Sequence, residues 1–264
     1  MKNKALVILS GGQDSTTCLF WACEAFEEVH AVTYNYGQRH VREIEAARKV
    51  FNMAQEAYGQ DRVVSHSVVD VGPILEGSSP LVNSDTALEQ YHGMYSLPGG
   101  LEKTFVPGRN LLFLTLAANK AYNLGALNIV TGVCQEDFGG YPDCRQIFID
   151  AAALAIRLGF GYNNDDPFSR AKIITPLMDL TKAETVELAD ELGSTCWEAL
   201  AYTHTSYDGA YPPTGQDHAT LLRAKGFFEA DRPDPLVLRA WREGLMELPE
   251  TTNYADVQLE LGGV

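Results

Sequence analysis

The chain has 264 residues, 45% hydrophobic and 21% charged, which suits one large α/β domain or two small ones and excludes a disordered or fibrous protein. Its formal net charge is −15 and its pI about 4.7, so its summed field repels a phosphate backbone, and no run of Lys or Arg offers a compensating patch. Nucleic acid is therefore not expected as a partner.

Residues 5–9 form a short continuous apolar run, which predicts a strand buried on both faces of a parallel sheet. Glycines follow, then apolar residues at helical spacing over 17–26 and a second strand over 29–34, a βαβ unit. The pattern next predicts an amphipathic helix over 41–57, a strand over 62–69, a helix over 111–124 and a buried strand over 127–133. Such alternation argues for a doubly wound parallel sheet, whose ligands sit beyond the carboxyl ends of its strands.

Residues 73–104 are rich in Gly, Ser and Pro, a long excursion of the kind that serves as a lid. From Ser194 the pattern loosens, and Pro212, Pro213, Pro233 and Pro235 are expected to break regular structure. The expected organisation is an α/β domain over 1–195 and a small C-terminal helical region over 196–264, without internal repeats.

Five scattered cysteines, Cys18, Cys23, Cys134, Cys144 and Cys196, include no C-x-x-C pair, so no disulfide framework is expected. No apolar stretch approaches the ~20 residues that span a bilayer. The first residues lack the length and cleavage site of a signal peptide, and a cytoplasmic location away from membranes is expected.

Ser10-Gly11-Gly12-Gln13-Asp14-Ser15-Thr16 separates the first strand from its helix, where backbone N–H groups converge and the helix dipole favours an anion. Gly11 and Gly12 permit backbone geometry that a side chain obstructs, and Ser10, Ser15 and Thr16 add hydroxyl donors without bulk. Asp14 beside a phosphate needs a neutralising cation, which suits a role in holding Mg²⁺. The segment matches neither G-x-x-x-x-G-K-[ST] nor G-x-G-x-x-G. Its alternative is a plain serine-capped turn.

This loop is similar to the Ser-Gly-Gly-x-Asp-Ser loop of N-type ATP pyrophosphatases, HUP-type, Rossmann-like proteins that cleave ATP between the α and β phosphates to adenylate a substrate. Further blocks resemble one branch of them, the 7-cyano-7-deazaguanine synthases. The loop runs on through Cys18 with Gln13 inside it, and Tyr36-Gly37-Gln38-Arg39-His40 follows the second strand. Phe105-Val106-Pro107-Gly108-Arg109-Asn110 precedes a helix, and Thr131-Gly132-Val133-Cys134 continues through Glu136-Asp137-Phe138 to Tyr141-Pro142-Asp143-Cys144-Arg145. The blocks keep the family's order over residues 4–235.

The resemblance implies a C–N ligase using ATP and Mg²⁺, in which 7-carboxy-7-deazaguanine attacks the α-phosphorus, ammonia converts the adenylate to an amide, and a second activation yields the nitrile. It implies ATP contacts from Leu9, Ser10, Gly11, Gly12, Gln13, Asp14, Ser15, Thr16, Arg39 and Arg109, with Asp14, Arg109 and Lys182 in catalysis. The substrate-binding set it implies is Tyr36, Gln38, His40, Glu136, Asp137, Phe138, Tyr141, Asp143 and Arg145, and the assembly a homodimer. Chemically, Arg109 offers a planar fork to phosphate or carboxylate, with a structural ion pair as its alternative. Lys182 suits neutralising pyrophosphate, with a solvated helix lysine as its alternative. Phe138 and Tyr141 suit stacking, with core packing as the alternative for Phe138, and Cys134 and Cys144 are read as small buried residues.

The chain departs from the family at four cysteines that hold a structural zinc before Leu222-Arg223-Ala224-Lys225-Gly226-Phe227, where it has Ser206, Thr214, Asp217 and Thr220. Hydroxyls are poor zinc ligands and one carboxylate cannot close a tetrahedral site, so no zinc is expected, and a site improvised from His204, Asp217 and His218 is the alternative. The loss leaves two further readings beside the nitrile-forming synthase: a paralogue that stops at an amide with ammonia or another amine, and a nucleotide-binding sensor without catalysis.

Overall fold

A computed structural model describes residues 3–37, 42–72, 74–75, 77, 79–83, 85–91, 101–135, 141–161, 163 and 165–262. Strand β1 (Lys4–Ile8) leads into α1 (Gln13–Ala25), then β2 (Glu28–Asn35), α2 (Arg42–Tyr58) and β3 (Val63–Asp70). After the excursion come α3 (Arg109–Leu124), β4 (Asn128–Val130), α4 (Gln146–Phe160), β5 (Lys172–Ile174) and α5 (Lys182–Glu191). Helices α6 (Ser194–Leu200), α7 (His218–Glu229), α8 (Pro235–Arg242) and α9 (Ala255–Gly262) complete the chain.

The strands form one parallel sheet in the order β3-β2-β1-β4-β5. Alternation along β1 divides the core into two layers. Ala5 and Val7 face a layer with Leu19 and Cys23 of α1, Val50 and Phe51 of α2, and Val186 of α5. Leu6 faces the other, with Leu114 and Ala118 of α3 and Ile149 and Ala152 of α4. Helices therefore cover both faces, and the order reverses at β1, between β2 and β4, which opens a crevice at the carboxyl end of β1. Leu200 of α6 and Phe227 of α7 join the first layer.

Some boundaries differ from the sequence reading. Helix α1 begins at Gln13 rather than 17, because its first turn carries polar residues with no apolar rhythm to mark it. Strand β4 ends at Val130; Thr131 N makes one more bond to Ile174 O at 3.0 Å, and Gly132 lies where a Cβ would be 3.1 Å from the Asp14 carbonyl carbon. Pro235 does not break structure but opens α8, where a missing N–H is harmless and Asp234 caps the helix by accepting from Leu236 N. The described residues of the 73–104 excursion hold no helix or strand; Tyr91 N donates to Gln216 O at 2.8 Å, tying it to the C-terminal region.

Candidate active site

The crevice is a cavity of about 340 Å³ at the end of β1. Leu9, Ser10, Gly12, Gln13, Asp14 and Ser15 line it, whereas Gly11 and Thr16 do not. Gly11 has φ +90°, and a Cβ there would lie 2.3 Å from Glu43 O, so this glycine lets α2 approach the loop. Thr16 is fully buried in α1.

The loop amides divide into two sets. Ser10 N and Gly11 N donate to Ser15 Oγ at 3.1 and 3.2 Å, and Ser15 Oγ donates to Gly12 O at 3.1 Å. Gly12 N donates to Ser10 Oγ at 3.3 Å. These hydroxyls occupy the amides of residues 10–12 and fix the loop. The first turn of α1 differs: its N-cap, Gly12, supplies no side chain, so no capping group among the described residues takes the N–H groups of Gln13 to Ser15. The first turn of α1 therefore lines the cavity with N–H groups that no cap takes, and the preceding residues shape it.

Lys182 opens α5 beneath a capping box in which Thr181 accepts from Glu184 N and Glu184 accepts from Thr181 N. Its side chain is only 9% exposed, and Nζ lies 2.8 Å from Asp14 Oδ2 and 3.7 Å from Cys134 Sγ. It is therefore no solvated surface lysine. Gly226 of α7 packs directly on it, since a Cβ there would lie 2.9 Å from Lys182 Cβ.

Elsewhere on the wall, Arg109 opens α3 behind Gly108, whose φ of +77° needs glycine. Tyr36, Tyr141 and Glu43 line the cavity with it. Phe113 stacks on Tyr34 at a centroid separation of 4.6 Å and meets Tyr36 at 5.4 Å, giving an aromatic wall. Tyr141 OH lies 2.6 Å from Thr104 Oγ1. Asp143 is buried behind this wall; burial pushes its carboxyl above the usual range, and Arg109 pulls it back. Arg145 is exposed at the start of α4, and neither it nor Asp143 lines the cavity. Cys134 and Cys144 are both buried.

Gln38, Arg39, His40, Glu136, Asp137 and Phe138 lie outside the described residues. Sequence reasoning missed Glu43, Phe113 and Tyr207 and placed His204 only in an alternative metal site; all four line the cavity. Burial pushes the Glu43 carboxyl up to about 7, with Arg109 opposing the shift. Nothing in the sequence marks Glu43 out, since acidic residues such as Glu43 and Glu45 are ordinary in a helix's first turn. His204 N donates to Gly11 O at 2.9 Å, a contact between distant segments that no local signal announces.

The four positions of the family's zinc cysteines converge on a hydrogen-bonded cluster. Ser206 Oγ lies 3.0 Å from Asp217 Oδ2 and 2.5 Å from Asp208 Oδ1, and Thr214 Oγ1 lies 3.4 Å from Asp208 Oδ2. Asp217 caps α7, accepting from Thr220 N at 2.9 Å. One hydroxyl proton cannot serve two ionised carboxylates, so the arrangement is complete when Asp217 is protonated and donates to Ser206, which donates to Asp208. Burial holds Asp217 above the usual carboxylate range, opposed by the hydrogen bonds from Thr220 and Ser206 and reinforced by the Asp208 charge. His204 bonds Ser206 O and His218 faces Glu102, and no three His, Cys, Asp or Glu side chains among the described residues are grouped to hold a metal.

The loop below is held by Arg223, which donates Nε to Asp234 Oδ2 at 2.6 Å and Nη2 to Asp234 Oδ1 at 2.8 Å. Its Nη1 donates to Thr203 Oγ1 at 2.7 Å and to Thr205 Oγ1 at 3.0 Å. Thr205, Ser206 and Tyr207 line the cavity, so this buried fork sets one of its walls.

The family described as "Queuosine biosynthesis protein QueC" matches residues 4–231. A 7-cyano-7-deazaguanine synthase of Gloeobacter violaceus is 53% identical over 234 residues, covering 88% of this chain and 95% of its own. Those of Chromobacterium violaceum and Laribacter hongkongensis are 47% and 46% identical, covering 91% and 89% of this chain and 95% and 94% of theirs. With the cavity at the sheet's switch point and a family match over most of its length, the chain belongs to the QueC family of queuosine biosynthesis proteins.

Proposed function

We propose that this protein converts 7-carboxy-7-deazaguanine and ammonia to 7-cyano-7-deazaguanine at the expense of ATP. The observation that carries the reading is the Asp14–Lys182 pair at the uncapped first turn of α1, in one cavity with Arg109 and an aromatic wall. In this reading the N–H groups of Gln13 to Ser15 receive the ATP phosphates, and Lys182 neutralises the departing pyrophosphate. Tyr36, Phe113 and Tyr141 flank the ring. The α/β domain over 1–195 binds the nucleotide, and the region over 196–264 closes the cavity, which limits hydrolysis of the adenylate.

The residues fit Mg²⁺, which is usually held by one or two carboxylates together with substrate phosphates. Asp14 meets Lys182 through Oδ2, and its side chain is 28% exposed beside the cavity, so its carboxylate would be the group that holds the ion. Bound there, Mg²⁺ supplies charge neutralisation for the triphosphate.

The acidic charge supports a free base rather than RNA as substrate, and a cytoplasmic enzyme is the matching location. No described helix is long and apolar enough to cross a membrane. A homodimer is the proposed assembly, supported by Ile147, Leu154 and Leu158, which stand exposed on one side of α4. Incubation with the acid, ATP, Mg²⁺ and ammonia should yield the nitrile by mass spectrometry. An amide that accumulates without nitrile would assign the chain to the amide-forming reading instead, and no ATP-dependent product would refute both.

A further inference from the structure

Two carboxylates line the cavity among its described residues, Asp14 and Glu43. Asp14 is committed to Lys182 at 2.8 Å. The carboxylate of Glu43, in the first turn of α2, makes no hydrogen bond to any described residue, and its neighbours are chemically distinct: Arg109 of α3, and Tyr36, which leans on Phe113. A carboxylate beside a guanidinium, next to an aromatic wall, presents a pair of acceptors flanked by donors.

The two purine-type rings in this reaction differ in what they need from such a wall. A guanine-like ring carries, along one edge, an amino group, a ring N–H and a carbonyl, that is donor, donor, acceptor. A carboxylate accepts from the first two with both oxygens, and a neighbouring guanidinium donates to the third. Adenine carries an amino donor beside a bare ring nitrogen, whose lone pair faces a carboxylate repulsively. The cavity's acceptor-and-donor wall therefore matches the deazaguanine and opposes the adenine.

From this juxtaposition we propose that Glu43 is the specificity-determining residue for the deazaguanine ring, accepting its amino and ring N–H protons while Arg109 donates to its carbonyl. This deepens the proposed function and rests on it. Aromatic stacking alone does not separate one purine-type ring from another, whereas a site built to bond an N–H group rejects analogues that lack it, because the carboxylate is then left unpaired. The elevated carboxyl of Glu43 agrees with a desolvated group awaiting such a partner.

The test compares wild type with Glu43→Gln and Glu43→Ala, reading pyrophosphate release with the natural acid and with its analogue lacking the 2-amino group. Glu43→Gln is expected to raise KM for the acid roughly 10- to 100-fold while KM for ATP stays within about twofold, which also certifies the fold. Wild type is expected to discriminate against the analogue, and Glu43→Ala to lose most of that discrimination. A variant with wild-type KM for the acid, or one whose KM rises for ATP alone, overturns the inference. Failure of wild type itself to release pyrophosphate with the acid would instead sink the proposed function, so the two failures are distinguishable.

Discussion

Lys182 Nζ lies 2.8 Å from Asp14 Oδ2, joining residues 168 positions apart in the chain. The pair links the first turn of α1 to the first turn of α5, so two helix N-termini bear on one point of the cavity.

Lys182→Ala should lower acid-dependent pyrophosphate release by roughly 100- to 1,000-fold, the scale on which a positioned donor to a developing charge contributes. Lys182→Arg should not restore it, since Gly226 leaves no room around the side chain and a fork is no substitute for a point charge. Gly226→Ala should reduce release through displacement of Lys182, with circular dichroism unchanged. Full activity in Lys182→Ala would remove this residue from the reaction.

Arg223 and Asp234 are 3% and 4% exposed, and removal of one partner strands a buried charge. Asp234→Ala should therefore destabilise the fold by about 3–5 kcal/mol in denaturant unfolding. It should also weaken substrate binding, because the guanidinium that orients Thr203 and Thr205 loses the carboxylate that anchors it.

The Ser206, Asp208 and Asp217 cluster makes a prediction with a sign. The Asp217 carboxyl is held above its ordinary value in the fold, so its protonation contributes stability that is fully present below about 3.9 and lost as pH rises through the folded value. Asp217→Asn keeps the acceptor for Thr220 N and donates permanently to Ser206. Its melting temperature should match wild type near pH 4 and exceed it at neutral pH. Ser206→Ala, which removes the bridge, should cost about 1–3 kcal/mol. A neutral-pH loss in Asp217→Asn as large as in Asp217→Ala would show that the cluster carries no shared proton.

The opposite sign holds at the amino end of the sheet. Lys4 Nζ lies 2.7 Å from Glu28 Oε1, and this hydrogen bond, against a smaller opposing effect of burial and with help from His30, lowers the Glu28 carboxyl to about 2. A depressed carboxyl contributes stability that is present above about 4.3 and lost as pH falls toward 2. Glu28→Gln should therefore be less stable than wild type in urea at neutral pH, and the gap should close in acid. A gap that persists unchanged into acid would assign the loss to packing.

Legibility in the sequence followed the strength of local signals. Residues 5–9 and the glycines after them announced β1 and the tight turn into α1, because a doubly buried strand is uniformly apolar and its turn needs Gly. Strand β5 has only three residues, too few for a period to register. Helix α4 escaped because Ile147, Leu154 and Leu158 are exposed and blur the contrast between its faces. The site divides in the same way. Asp14, Arg109 and Lys182 were legible through blocks that resemble a family, whereas Glu43 and His204 acquire their positions from tertiary packing alone.

The most direct measurement is the identity of the nucleotide products formed with 7-carboxy-7-deazaguanine and ammonia, by ion-exchange chromatography beside quantified nitrile. An adenylating site predicts AMP and pyrophosphate, two of each per nitrile and none without the acid. ADP and phosphate, or ATP cleavage indifferent to the acid, would contradict it.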